Sequence, residues 1–218
     1  MIVVLTGAPG AGKGTQADLL VKQHKYRKVS TGDALRKHVK EETEIGLKAK
    51  SFMDQGNLVP DDIMLQIIKQ EIGSDSNETI ILDGYPRNIE QLKELEKLDT
   101  VHDIAGVIHL HVTENDLVER LSGRRVCSSC TATYHMRFNP PKSSGICDEC
   151  GQDKIIQRSD DHADKIKNRL KVYSNQTEPM IRYFENTDQF QQVDGADEMA
   201  AVTSSLAKAI QSFQGVSS

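Results

Sequence analysis

The sequence has no tryptophan, few aromatic residues and no surplus of basic charge. Aromatic residues make up 5% of its 218 residues, and the formal net charge is −5. Proteins that bind nucleic acids broadly usually carry a basic surface and aromatic side chains on which bases stack. The composition therefore argues against a nucleic-acid partner.

Long apolar segments are also missing. No apolar run approaches the ~20 residues of a membrane-spanning helix. The first five residues, Met1–Leu5, are apolar but lack a basic leader, and we expect them to form a core strand rather than a signal peptide. With 37% hydrophobic and 27% charged residues, the chain is predicted to be a soluble, cytoplasmic enzyme with no membrane partner.

An alternation of apolar strands and helical patterns predicts an α/β fold, with a parallel five-stranded sheet flanked by helices. The predicted strands are Ile2–Thr6, Tyr26–Val29, Thr79–Asp83, Ile104–Val112 and Phe190–Val193. The predicted helices are Thr15–Lys25, Asp61–Ile72, Ile89–Leu98, Glu114–Ser122, Asp164–Tyr173 and Glu198–Phe213.

Two segments interrupt this alternation and are predicted to be small inserted domains. Residues 30–59 contain two short helical patterns but no strand, and residues 123–160 contain all four cysteines and Pro140-Pro141. The remaining residues, 1–29, 60–122 and 161–218, are then expected to form the core domain.

The most informative motif is the glycine-rich segment Gly7–Thr15, which lies between the first strand and the first helix. Its glycines allow successive backbone N–H groups to face one anion, while the helix N-terminus and Lys13 add positive charge. A strand, a glycine-rich turn, a lysine and a hydroxyl in this order are typical of a P-loop rather than an ordinary turn. Gly14, not Ser or Thr, follows Lys13, so the hydroxyl comes one position later, at Thr15. The motif predicts a nucleoside triphosphate site.

Two aspartates are candidates for holding Mg²⁺, directly or through water, near this loop. Asp83 ends the third strand and opens the segment Asp83–Arg87, as the acidic partner of a P-loop does. Asp33 lies in Ser30–Asp33 and is explained equally well as a helix cap.

The four cysteines form two Cys-x-x-Cys pairs separated by 16 residues: Cys127, Cys130, Cys147 and Cys150. This spacing predicts a tetrahedral thiolate site of the zinc-ribbon type, with Zn²⁺ as the expected metal and iron as the alternative. Two disulfides or four unligated thiols are the competing interpretations, which a reducing compartment and the paired spacing disfavour. Four thiolates leave no open coordination position, so we expect a structural metal that holds residues 123–160 together.

Together these motifs resemble those of the adenylate kinases, which transfer a phosphoryl group from ATP to AMP. The matching segments follow the family's order: Gly7–Thr15, Ser30–Asp33, Gly56–Asp61, Asp83–Arg87, Gly123–Arg125 and Gln157–Asp161. Tyr85, where the family usually has Phe, and Asn57, at a variable position, are small departures. The resemblance implies a Mg²⁺-dependent monomer that binds ATP, AMP and ADP.

The resemblance also implies roles for individual residues. Catalysis is expected to depend on a group of basic side chains around the moving phosphoryl group: Lys13, Arg87, Arg124, Arg158 and Arg169. The expected ATP site comprises Gly10, Ala11, Gly12, Lys13, Gly14, Thr15, Arg120, Arg124, Thr133, Tyr134 and Asp197. The expected AMP site comprises Thr31, Arg36, Asn57, Leu58, Val59, Gly84, Tyr85, Pro86, Arg87, Gln91, Arg158 and Arg169.

Elementary chemistry supports several of these roles. Arg36 and Arg87 can each present a planar fork to a phosphate. Gln91, predicted to lie one helical turn beyond Arg87 on the same face, can donate to and accept from the adenine edge. No general base is needed, because the attacking phosphate oxygen of AMP is already anionic. Positioning and charge neutralisation in a closed, dry site are then sufficient, and both inserts are expected to close over the nucleotides.

Three alternatives remain open from the sequence. A related kinase would use GTP as donor, or CMP or UMP as acceptor. A regulatory nucleotide switch would use the cysteine region to bind a protein or nucleic acid and would not need the arginines. A purely structural zinc module would leave the P-loop unexplained.

Overall fold

The computed structural model describes residues 1–73, 78–98 and 103–214. The strands, in chain order, are β1 (Ile2–Thr6), β2 (Tyr26–Ser30), β3 (Thr79–Asp83), β4 (Ile104–His111), β5 (Arg124–Cys127), β6 (Thr133–His135), β7 (Ile155–Ile156) and β8 (Phe190–Asp194). The α-helices are α1 (Lys13–Gln23), α2 (Thr31–Lys40), α3 (Glu44–Gln55), α4 (Asp61–Ile72), α5 (Ile89–Glu96), α6 (Glu114–Gly123), α7 (Ala163–Val172), α8 (Glu178–Phe184) and α9 (Met199–Gln214).

Five of the strands form one parallel sheet in the order β2-β3-β1-β4-β8. This confirms the predicted five-stranded parallel sheet. The strands that follow β1 in the chain lie on both sides of it, β2 and β3 on one side and β4 and β8 on the other, so the strand order switches direction at β1. Ligands in such sheets bind beside the carboxyl ends of the strands at this point. The register pairs Leu5 with Asp83 there, which places the P-loop beside the end of β3.

The central strand β1 is apolar along almost its whole length because helices cover both faces of the sheet. Every residue of β1 is buried, and successive β1 side chains belong to different apolar clusters. Ile2 and Val4 pack with α4, α5 and α8, whereas Val3 and Leu5 pack with α1, α6 and α9. The sheet is thus the rigid layer from which the loops at its carboxyl edge project.

One helical region differs from the sequence expectation. Beyond α7, the chain continues through a π-helical segment, Tyr173–Thr177, into α8, which the sequence pattern did not predict. The segment is polar, and Pro179 follows it. Proline is tolerated in the first turn of a helix, where its missing N–H costs nothing, so it marks the start of α8 rather than the end of helical structure.

The cysteine-containing region has its own small sheet. Strands β6, β5 and β7 form three antiparallel strands in that order. Its interior consists of Cys127, Tyr134 and Cys147, with Ala132 and Ile155 packed against them. So small an apolar core calls for additional cross-linking.

Residues 31–55 form two consecutive helices, α2 followed by α3. Both helices are capped at their N-termini by hydroxyl side chains, Ser30 to the Asp33 N–H and Thr43 to the Gly46 N–H. Within the described parts of the chain, no helix combines the length and apolarity needed to cross a bilayer.

Candidate functional site

The P-loop connects β1 to α1 through a backbone that requires glycine. Gly7, Gly10 and Gly12 have φ values of 146°, 89° and 100°. A Cβ atom on Gly7 would lie 2.5 Å from the Leu110 carbonyl oxygen, which no side chain tolerates. The loop therefore keeps its anion-binding shape only with glycine at this position.

Lys13 begins α1 and points back into the P-loop. Its Nζ donates hydrogen bonds to the carbonyl oxygens of Gly7 and Ala8, at 2.7 and 3.0 Å. Burial lowers the pKa of Lys13 to about 7, although Asp83 opposes this shift. A phosphate at this position would restore the proton and replace the carbonyl contacts.

A large cavity of about 560 Å³ opens beside the P-loop, a volume typical of small-molecule sites. It is bounded by the P-loop, the cysteine-containing region and the segment 195–202. All the residues predicted for the ATP site line it: Gly10, Ala11, Gly12, Lys13, Gly14, Thr15, Arg120, Arg124, Thr133, Tyr134 and Asp197.

The large cavity also contains residues that the sequence did not single out. His135 stacks on Phe138 with ring centroids 4.5 Å apart, and both line the cavity with Met199 and Val202. Arg120, which was predicted for the ATP site, lines the same cavity and donates to the Ala11 carbonyl oxygen. Apolar and aromatic walls suit a planar base. The sequence gives no motif for His135, Phe138, Met199 and Val202, because they come from two distant segments of the chain.

A small cavity of about 130 Å³ lies between α2, α3 and the segment after β3. Most residues predicted for the AMP site line it: Arg36, Asn57, Leu58, Val59, Gly84, Pro86, Arg87, Gln91, Arg158 and Arg169. Thr31 and Tyr85 do not line it. Both are fully buried beneath it, Thr31 donating to the Gly84 carbonyl oxygen and Tyr85 to the Gln91 carbonyl oxygen.

The two cavities meet at a group of basic side chains. The basic residues that line both are Lys13, Arg36, Arg87, Arg158 and Arg169, and Arg124 lines the large cavity close by. Such a concentration of buried cations is costly without anions nearby. The junction of the cavities is therefore the place where a polyanion would bind.

Two consecutive aspartates hold these arginines in place. Asp160 accepts two hydrogen bonds from Arg158, at 2.8 and 2.6 Å, and Asp161 accepts two from Arg124, at 2.7 and 2.6 Å. Arg169 contacts both aspartates, at 3.0 and 2.8 Å. Burial alone would raise the pKa of Asp160, but Arg158 and Arg169 hold it well below its usual range. The pairs fix the directions in which the guanidinium groups point.

Gln91 is oriented by two neighbours on opposite sides of its carboxamide. Its Oε1 accepts from the Arg87 N–H at 2.7 Å, and its Nε2 donates to Asp61 at 2.7 Å. One N–H and one oxygen lone pair remain for a ligand. The prediction that Arg87 and Gln91 share a helix face was wrong, because Asn88 adopts an extended backbone and caps α5 after Arg87.

The two candidate metal-binding aspartates lie near the start of α1. Asp83 Oδ2 lies 3.4 Å from the position that a Cβ on Gly14 would occupy. Asp33 is not the cap of α2, since Ser30 has that role. Burial alone would raise the pKa of Asp33, but Arg36 and Lys28 lower it to about 2. Carboxylate oxygens are the ligands that Mg²⁺ prefers.

The four cysteine sulfurs converge, all within 4.8 Å of one another. Cys127 and Cys150 are 3.6 Å apart and Cys130 and Cys147 are 3.5 Å apart, so neither pair is a disulfide. Tetrahedral thiolates about 2.3 Å from a zinc ion would be about 3.8 Å apart, which fits this arrangement.

Tyr134 connects the cysteine cluster to its surroundings. Its hydroxyl accepts from the Asp148 N–H at 2.7 Å and therefore donates to Cys147 Sγ at 3.2 Å. This hydrogen bond is the largest cause that lowers the pKa of Cys147 to about 6. The hydroxyl of Tyr134 is thus directed at the cysteines, while the residue also lines the large cavity.

Comparison with known proteins is consistent with this geometry. The sequence model of the family "Adenylate kinase" matches residues 5–189. The adenylate kinase of Methanocella arvoryzae is 45% identical over 213 residues, covering 96% of this chain and 98% of the relative. The adenylate kinase of Carboxydothermus hydrogenoformans is 44% identical over 97% of this chain and all of the relative. That of Staphylococcus aureus is 45% identical over 93% of this chain and 95% of the relative.

Proposed function

The chain belongs to the adenylate kinase family, and we propose that it transfers the γ-phosphoryl group of ATP, bound in the large cavity, to AMP, bound in the small one. The junction of the two cavities at Lys13, Arg87, Arg158 and Arg169 carries this proposal. Two polyanions can approach each other only where cations screen both, and this junction supplies them.

The reaction needs little covalent chemistry from the protein. An oxygen of the AMP phosphate forms a bond to the γ-phosphorus while the bond from that phosphorus to the β–γ bridging oxygen breaks, so ADP forms on both sides. The attacking oxygen is already anionic, and no proton has to be removed. Lys13 and the arginines held by Asp160 and Asp161 orient the phosphates and stabilise the developing charge.

Mg²⁺ fits the carboxylates beside the P-loop. Lys28, whose ammonium lies 3.3 Å from Asp33, shows that this group of carboxylates already accommodates a cation. When bound, Mg²⁺ would neutralise charge on the β- and γ-phosphates of ATP, with Asp33 and Asp83 holding it through water. The protein's part is to present these oxygen ligands next to the first turn of α1.

Zn²⁺ fits the cysteine cluster, and we propose that it is structural. The sulfur distances match a tetrahedral site, and the four thiolates of Cys127, Cys130, Cys147 and Cys150 complete its coordination. The small apolar interior around Cys127 and Tyr134 also needs such a cross-link. Iron would fit the same ligands and is the alternative.

The two inserts are proposed to close over the nucleotides, residues 123–160 over ATP and 30–59 over AMP, with residues 1–29, 60–122 and 161–218 as the core. Contacts between the inserts support this proposal. The Ser159 hydroxyl donates to Asp54 on α3 at 3.0 Å, and Lys40 on α2 donates to the Ser128 carbonyl oxygen at 3.3 Å. Closure would exclude water, which would otherwise accept the γ-phosphoryl group.

A monomer in the cytoplasm is the proposed working form. Each residue assigned to the two nucleotides belongs to this one chain, so no second copy is required to complete the site. Four free thiols that converge on a metal site also suit a reducing compartment.

The identity of the acceptor rests on Gln91. With one N–H directed to Asp61 and the oxygen bound by Arg87, its remaining donor and acceptor complement the adenine edge. CMP or UMP as acceptor and GTP as donor are the competing assignments within the same chemistry. A nucleotide switch is less well supported, because it does not require the buried arginines at the junction.

The test is phosphoryl transfer by the zinc-loaded protein with Mg²⁺ and ATP, offering AMP, CMP, UMP and GMP separately. We expect rapid ADP formation with AMP and much slower reactions with the others. Arg87→Lys, which keeps the charge but loses the planar fork, should reduce kcat by ~100-fold or more. Arg182→Lys is the matched control, since Arg182 is 72% exposed. ATP hydrolysis at one slow rate with every acceptor would overturn the proposal.

A further inference from the structure

Lys28 is a basic residue that lines the large cavity. It belongs neither to the P-loop nor to the group of arginines at the junction of the cavities. It lies on β2, and its side chain is only 15% exposed. Its Nζ contacts Asp18 Oδ1 at 2.9 Å and Asp33 Oδ2 at 3.3 Å. The same Nζ and Asp83 Oδ2 both lie within 4 Å of the position that a Cβ on Gly14 would occupy, at 3.9 and 3.4 Å. The ammonium is therefore among the carboxylates proposed to hold the divalent cation.

Both oxygens of Asp33 are occupied by basic side chains. Arg36 donates to Oδ1 at 2.5 Å, and Lys28 lies against Oδ2. Arg36 faces the small cavity as well as the large one, so its position is tied to the acceptor side. A hydrated divalent cation that uses Asp33 therefore has to displace Lys28, because two cations repel each other at one carboxylate oxygen.

Asp18 gives the displaced ammonium a second partner. It lies on α1, is 55% exposed, and already accepts the shorter of the two Lys28 contacts. A small rotation of the lysine side chain would keep this contact while releasing Asp33. Lysine suits such a movement, since its ammonium is a point charge on a flexible stem.

We propose that Lys28 is a counter-ion of the divalent-cation site, which neutralises Asp33 in the absence of metal–nucleotide and moves onto Asp18 when the hydrated metal binds. The proposal rests on the magnesium site assigned under the proposed function. It makes Lys28 a positioning residue that weakens metal binding in the wild-type protein, and it makes Asp18 the residue that limits this weakening.

Substitutions of Lys28 and Asp18 should change the affinity for a divalent cation in opposite directions. Lys28→Gln removes the competing charge, so divalent-cation affinity should rise by roughly fivefold. Asp18→Asn removes the second partner, leaves the ammonium on Asp33 and should lower the affinity by a similar factor. Because Asp18 acts only through the lysine, Asp18→Asn should change little in a protein that already carries Lys28→Gln.

The experiment measures Mn²⁺ binding to the zinc-loaded protein in the presence of AMP-PNP, a non-hydrolysable ATP analogue. Free Mn²⁺ is counted by electron paramagnetic resonance for the wild type, both single variants and the double variant. Lys208→Gln, an exposed lysine on α9, is the matched control and should leave the affinity unchanged. Calorimetry of AMP-PNP binding without divalent cations confirms that each variant still binds the nucleotide.

The results separate this proposal from its premise. Tighter Mn²⁺ binding by Lys28→Gln, weaker binding by Asp18→Asn and no effect of Asp18→Asn in the double variant support it. Unchanged or weaker binding by Lys28→Gln overturns it. An equal effect of Asp18→Asn in both backgrounds also overturns it, because simple through-space attraction would then suffice. If Lys28→Gln does not fold, unchanged affinity in Asp18→Asn alone is enough to reject it. Absence of Mn²⁺ binding in the wild type would instead reject the magnesium site itself.

Discussion

Arg124 and Asp161 form a two-pronged pair in which both donors of one guanidinium edge meet both oxygens of one carboxylate, at 2.7 and 2.6 Å. The Asp161 side chain is completely buried, and the same carboxylate also accepts from Arg169 at 2.8 Å. Asp161 thus joins an arginine at the start of β5 to one on α7. Neither arginine can change its direction without breaking a buried charge-assisted hydrogen bond.

Asp161→Asn should therefore reduce kcat more than it raises the KM for either nucleotide. The amide cannot accept both prongs from Arg124 and leaves two buried guanidinium groups poorly directed, and we expect a loss of ~100-fold or more. Steady-state kinetics check this. Asp164→Asn, at an exposed ion pair, is the control. Thermal unfolding must accompany the assay, since breaking a buried pair costs ~3–5 kcal/mol. An Asp161→Asn protein with normal kcat would show that Asp161 does not direct the arginines.

Nucleotide binding should take up a proton on Lys13. In the ligand-free protein, burial lowers the pKa of this lysine from 10.5 to about 7, so it is largely neutral at about pH 8.5. Phosphates next to Nζ favour the charged form and raise the pKa again. Calorimetry of ATP binding in two buffers of different ionisation enthalpy should show an uptake that approaches one proton. Lys13→Met should abolish the uptake, and a wild-type protein without it would contradict the assignment.

The same shift has a consequence for stability. Between pH 7 and 10.5 the unfolded chain keeps a proton on Lys13 that the folded chain has lost. The unfolded state binds more protons, so this lysine makes the free energy of unfolding rise with pH across that window. Below pH 7 both states hold the proton, and the cost of burying the charge is present in full. Denaturant unfolding at several pH values measures this. The difference in the free energy of unfolding between the wild type and Lys13→Met should become smaller as the pH rises from 7 to 10.5.

Gln91→Met should impair the recognition of AMP more than the chemistry. Methionine has a similar volume but cannot donate to or accept from the base, and it also leaves Asp61 and the Arg87 N–H without their partner. We expect kcat/KM for AMP to fall by ~100-fold, with a smaller change for CMP and UMP. Gln66→Met, on the exposed face of α4, is the control. An equal loss for all acceptors would show that Gln91 supports the loop and does not recognise the base.

The zinc proposed for the cysteine cluster should be released faster from Tyr134→Phe. Without the hydroxyl, Cys147 loses the hydrogen bond that favours its thiolate, and Asp148 loses its acceptor. Loss of a hydrogen bond around a metal ligand typically costs ~10- to 100-fold in metal affinity. The release of zinc to a chromogenic chelator measures this directly. Tyr173→Phe, outside the cysteine region, serves as the control. Identical release rates would mean that Tyr134 does not support the metal site.

Much of the fold could be predicted because it is encoded in short-range patterns. The apolar run Ile2–Leu5 predicts a buried parallel strand, and all five predicted strands of the main sheet are confirmed. The glycines of Gly7–Thr15 identify the P-loop because a single local segment contains the whole motif. The paired cysteines predict a convergent thiolate site for the same reason, and their sulfurs do converge.

The rest depends on contacts between distant segments. The hydrogen bond from Gln91 to Asp61 spans 30 residues, and that from Arg124 to Asp161 spans 37. Neither separation has a pattern that sequence alone would recognise. Asp33 illustrates the limit, since its pairing with Lys28 depends on how β2 and α2 meet. The helix α8 was missed because polar residues and Pro179 hide it, although tertiary packing buries Met180, Ile181 and Phe184.

The most direct test of the central claim is the binding of a compound in which two adenosines are joined by five phosphates. The two cavities proposed for ATP and AMP share one group of basic residues, so a single molecule of this compound should fill both. Calorimetry should then give one molecule per chain, with exclusion of ATP and of AMP. Two molecules per chain, or competition with ATP while AMP still binds, would contradict the shared site.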